Sequence, residues 1–101
     1  MNNNAIEAYK YYKEMYAPFI IFFRINNTYH AYFEDAQTIS SILKIPIDGE
    51  CVAIPSEQIL DVMGSLSSHG KQAKMISYRD DLGHHTLPDV SLLKAEKEAD
   101  I

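Results

Sequence analysis

Residues 19–32 read Phe19-Ile20-Ile21-Phe22-Phe23-Arg24-Ile25-Asn26-Asn27-Thr28-Tyr29-His30-Ala31-Tyr32. Apart from Arg24, the first seven are apolar and either β-branched or aromatic. Such a short unbroken run describes a central strand covered on both faces. Asn26-Asn27 then supplies a tight turn, because asparagine tolerates left-handed backbone angles, and Thr28 to Tyr32 returns as a short antiparallel strand.

The chain on either side of this hairpin alternates between helix and strand. Upstream, Ala5, Ala8, Tyr9, Tyr12 and Tyr16 recur near the 3.6-residue period of a helix with one buried stripe, which Pro18 stops. Downstream, Phe33 to Leu43 places Ala36, Ile39, Ile42 and Leu43 on one helical face and ends before Pro46. Asp48-Gly49 marks a turn and Cys51 to Ile54 a short buried strand. Pro55-Ser56 opens a third helix in which Ile59, Val62, Met63 and Leu66 keep i, i+3, i+4, i+7 spacing. Gly70 stands where a helix C-cap belongs, and Lys71 to Tyr78 closes the pattern as a last strand. The fold class expected is α/β, of the mixed α+β kind: a small mixed sheet flanked by about three helices. Beyond Arg79, Asp80 to His85 is turn-like and Leu92 to Ala99 is at best a short charged helix. The reading is therefore a module over residues 1–79 and a loosely attached tail over 80–101.

With 101 residues, 47% of them apolar and 23% charged, the chain closes one hydrophobic core and no second of comparable size. Its longest apolar run, Phe19 to Phe23, is far short of the roughly 20 residues a bilayer span needs. The polar opening Met1-Asn2-Asn3-Asn4 lacks the basic start and apolar stretch of a secretory signal, so a cytoplasmic protein without membrane contact is expected. Cys51 is the single cysteine and lies in an apolar stretch, which suits a buried thiol better than a reactive one. Nine Lys plus Arg against 14 Asp plus Glu leave a net charge of −5, and the basic residues are scattered along the chain. That balance argues against tight DNA binding by this chain alone.

The segment from Ile20 to Ala36 resembles the part of the MutS DNA mismatch-repair family in which an apolar strand and an arginine lead to Gly-Asp-Phe-Tyr-Glu and an acidic helix start. Arg24, Tyr29 and Glu34-Asp35-Ala36 fall in register with it. Val52-Ala53-Ile54-Pro55 is similar to that family's Ala-Gly-Ile-Pro, and the spacing through Leu66 and Gly70 to the last strand also agrees. The resemblance spans about residues 9 to 79 and implies the family's N-terminal, mismatch-reading domain I as a stand-alone, divergent copy. In that family a phenylalanine enters the minor groove beside a mismatch and a glutamate two residues later hydrogen-bonds a base, an aromatic wedge at a step that is already easy to unstack. The matching positions here are Thr28, which has no π face, and His30, which can still hydrogen-bond and, when protonated, would suit phosphate. The family's Gly-Asp turn has become Asn26-Asn27.

Other chemistry finds little footing. There is no Gly-x-x-x-x-Gly-Lys-Ser/Thr phosphate loop, so ATP binding is not expected, and nothing implies a cofactor. Adjacent His84 and His85 point apart on an extended segment and have no further ligand at metal-binding spacing. Asp48-Gly49-Glu50 lacks the following lysine of an acidic nuclease site, and the serines at 56, 65, 67 and 68 have no ordered histidine beside them.

Two functions follow as expectations. The first is a non-catalytic domain related to mismatch repair that contacts duplex DNA weakly through Arg24, Asn26, Asn27, Thr28, Tyr29 and His30. Against this stands a plainer reading, in which Tyr29 packs in the core and its neighbours are ordinary strand residues. The second is a protein-interaction module that has lost DNA reading, motivated by the acidic balance and by the tyrosines of the first helix. A basic strip beside His30 would favour DNA, and an apolar patch on the first helix a protein partner.

Overall fold

The structure, a computed structural model, describes residues 3–99. The remainder of the polar opening and of the expected tail, residues 1–2 and 100–101, lies outside the described residues. The elements are α1 (Asn3–Tyr16), β1 (Ile20–Ile25), β2 (Thr28–Tyr32), α2 (Phe33–Leu43), β3 (Cys51–Pro55), a 3-10 turn (Ser56–Gln58) leading into α3 (Ile59–Ser68), β4 (Ala73–Ile76), β5 (Tyr78–Arg79), β6 (His85–Thr86) and α4 (Val90–Ala99). Four strands form one sheet in the order β3-β2-β1-β4, and β5 pairs with β6 in a second, two-stranded sheet. Pairing is antiparallel between β1 and β2 and between β2 and β3, and parallel between β1 and β4. This is the mixed sheet between helices that the sequence predicts.

Period-two alternation explains why β1 is apolar throughout. Ile20 and Phe22 join Ala31, Val52 and Ile54 of the sheet, Ala36 and Ile39 of α2, and Ile59 and Leu66 of α3 in one buried cluster. Ile21 and Phe23 point the other way, to Ala8 of α1, Ile76 of β4 and Val90 of α4. All four of these β1 side chains are at most 3% exposed, so the strand is the shared floor of two cores.

Local chemistry sets the ends of the elements. Gly70, at φ 76, ends α3 in a Schellman arrangement, with the Lys71 amide bonded to the Leu66 carbonyl and the Gly70 amide to that of Ser67. Between β2 and α2 there is no loop. Phe33 turns the chain at φ 54, a left-handed angle that strains a bulky residue by about 1–3 kcal/mol. It is held by its amide's hydrogen bond to the Glu50 carbonyl at 2.8 Å and by an edge contact of its ring with Tyr9 at 5.3 Å.

The end of the chain departs most from expectation. The last strand, expected from Lys71 to Tyr78, divides at Ser77: β4 stays on β1 while β5 peels away to pair with β6. Residues 85–90, expected to belong to a loosely attached tail, are packed. His85 accepts a hydrogen bond from the Asn26 amide at 3.0 Å, Pro88 is fully buried, and Val90 is 3% exposed.

Candidate nucleic-acid interface

The β1–β2 register pairs Phe23 with His30, Arg24 with Tyr29 and Ile25 with Thr28. Asn26 and Asn27 are therefore left exposed at the end of the sheet. Asn26 adopts φ 54, the left-handed angle for which asparagine suits the turn. Alternation then divides the predicted site residues between two faces. Tyr29 packs against the cluster under α2 and α3, where Arg24 is its cross-strand neighbour. Thr28 and His30 lie on the opposite face, the one that α1 covers further along. The sequence places these residues side by side, but the pleat keeps Tyr29 from acting with its two neighbours.

Arg24 turns back over the hairpin, its Nε donating to the Asn26 carbonyl at 3.1 Å. His30 is half-buried, with Nδ1 3.4 Å from Cys51 Sγ and its ring stacked near Tyr32 at 6.2 Å. Burial lowers the His30 pKa from its ordinary 6.5 and so disfavours the charged imidazole. The charged phosphate contact open to it on sequence grounds thus loses its support. Around it, burial and then Asp48 push the Cys51 thiol up, and burial followed by Cys51 pushes the Tyr32 hydroxyl up to about 12. Both remain protonated neighbours rather than nucleophiles.

Folding also gathers two residues that sequence reasoning left aside. β6 lies beside the turn through the Asn26 amide and His85 carbonyl. Arg79 is the cross-strand partner of His85, and Ser77 Oγ lies 3.2 Å from His85 Nδ1. Partial burial, then the Arg24 and Arg79 guanidiniums, lower the His85 pKa. Among the described residues neither arginine has a carboxylate within ion-pair distance. Nothing in local spacing announces this corner, since Arg24 and Arg79 come within electrostatic reach of His85 only through two separate hairpins. The other histidine of the pair, His84, is mostly exposed and 3.9 Å from Asp80.

Against α1 the surface is different. Ile6, Tyr9, Lys10, Phe33, Glu34 and Glu50 border a groove of about 490 Å³ together with Lys13. The ammonium of Lys13 is already committed to Asp35 at 2.8 Å and to the Phe19 carbonyl at 2.6 Å. The tyrosines of α1 are largely used in packing: Tyr9 is 8% exposed, Tyr12 packs edge-on to Phe23 at 5.8 Å, and Lys74 sits 5.0 Å above the Tyr16 ring.

The chain matches the family described as MutS domain I over residues 3–76. The matched region runs from the start of α1 to the end of β4, leaving β5, β6 and α4 beyond it. No curated protein matches the chain.

Proposed function

This chain belongs to the MutS domain I family, and from that premise we propose that it is a non-catalytic domain related to DNA mismatch repair that contacts the backbone of duplex DNA with the end of its β1–β2 hairpin. One observation carries the reading. Arg24 is folded over an exposed asparagine turn, and among the described residues no carboxylate lies within ion-pair distance of it. A guanidinium beside the tip of a hairpin suits a phosphate, and such contacts supply affinity without reading sequence.

Mismatch preference is then expected to be small. Thr28 offers no ring to wedge into a base step, and His30 is held between Cys51 and Tyr32, where burial disfavours its charged form. The test is fluorescence anisotropy of the chain with matched and single-mismatch duplexes at low and moderate salt. Salt-sensitive binding that is nearly equal for the two duplexes and weakens in Arg24→Ala supports the reading. No binding at low salt refutes it.

A second reading, a protein-interaction module, is favoured by the groove between α1 and the start of α2, whose Ile6, Tyr9 and Phe33 walls are apolar. A partner seated there is expected to be lost in Ile6→Glu, with duplex binding unchanged.

A further inference from the structure

We infer that Arg24, Arg79 and His85 form one phosphodiester-binding site, with the β5–β6 hairpin as a second wall against the DNA backbone. The inference rests on the duplex-binding reading above and adds a contact that the matched family region, residues 3–76, does not contain.

The geometry begins at the turn. Asn26 is clasped from both sides, its amide donating to the His85 carbonyl at 3.0 Å and its carbonyl accepting from Arg24 Nε at 3.1 Å. The β5–β6 register then brings Arg79 opposite His85. Three nitrogen-bearing side chains from three strands therefore share one corner. Ser77 engages Nδ1 of His85, leaving Nε2 as the ring nitrogen available to a ligand.

Charge makes the corner fit an anion. Asp80 is the nearest acid along the chain from Arg79, but its Oδ1 accepts the amides of Leu82 and His84, both at 2.9 Å. One oxygen of that carboxylate is thus held at the β5–β6 turn, and the other faces His84 Nδ1 at 3.9 Å. On the other flank, the Ser56 amide bonds the Asn27 carbonyl and is followed by the exposed Glu57, which bounds the site on that side. Desolvation and then the two guanidiniums, which have no carboxylate within ion-pair distance among the described residues, lower the pKa of the neighbouring imidazole. A phosphate between them relieves the repulsion and accepts from both arginine forks. The site's position beside the hairpin tip lets one duplex strand meet β1–β2 and β5–β6 together.

The experiment measures duplex affinity against salt for the wild-type chain and for Arg24→Ala, Arg79→Gln, Arg79→Lys and His85→Asn, with circular dichroism confirming that each is folded. Arg79→Gln is expected to weaken matched and mismatched duplexes alike, on the order of tenfold at low salt, and to reduce the log–log salt slope by about one. Arg79→Lys, which keeps the charge, should keep the slope, and His85→Asn should weaken binding with little change in slope. If Arg24→Ala weakens binding while the Gln and Asn variants bind like wild type, this site is overturned and the duplex reading stands. If the wild-type chain binds no duplex at low salt, both fall.

Discussion

Asp35 shows how much one side chain can change meaning on folding. In the sequence it is half of an acidic helix start; in the fold it is 3% exposed. Its Oδ2 accepts the Ile21 amide at 2.9 Å and its Oδ1 takes the Lys13 ammonium at 2.8 Å. The need arises because the β1–β2 ladder runs only from Phe23 onward, so the Ile21 amide faces a place that β2 has left to enter α2. Asp35→Ala should therefore cost about 2–4 kcal/mol in urea unfolding, since it strands a buried amide and a half-buried ammonium. A loss below about 1 kcal/mol would reduce the pair to an ordinary surface contact. His30 carries a pH prediction. Its folded pKa lies below the ordinary 6.5, so the unfolded chain binds the proton more readily and acidification through 6.5 removes stability. Unfolding midpoints measured above and below that value should differ less in His30→Gln than in the wild type. The dependence that remains will include His85, whose pKa is lowered in the same direction.

At the scale of elements, the two hairpins behave as one structure. β6 is fastened to the β1–β2 turn through Asn26, and the chain then delivers Val90 into the cluster around Ile21, Phe23 and Ile76. Val90→Ala should cost about 1–3 kcal/mol, and removal of residues 80–101 considerably more, because it uncovers the α1 face of β1 as well. A truncated chain as stable as the full one would restore the view of that segment as a loose tail. The β1–β2 hairpin carries a complementary gain-of-function prediction. Thr28→Phe with His30→Glu installs the aromatic and acidic pair that the family resemblance implies at these positions, on a strand paired in register with β1. The double variant is expected to bind a single-mismatch duplex more tightly than a matched one, read by anisotropy. Equal binding would mean that the wedge needs a support this chain does not provide.

For the molecule as a whole, a net charge of −5 sets a long-range repulsion from DNA against a local basic corner. Binding should consequently be weak and confined to low salt, with a log–log slope of magnitude about 2–3, as a few phosphate contacts would give. A much steeper slope would require a second basic surface. The sequence by itself determined the alternation of helices and strands, the central position of β1, the Asn26-Asn27 turn, the Gly70 cap and the family. Each of these is written in local periodicity, turn chemistry or spacing, which act over a few residues. The tertiary structure alone decided which core each face of β2 meets, that His30 is desolvated, that Asp35 completes a strand, that Leu87 and Val90 close the second core, and that Arg24 and Arg79 come within electrostatic reach of His85. Desolvation and charge proximity depend on distances between segments far apart in the chain, and those distances exist only once the chain has folded.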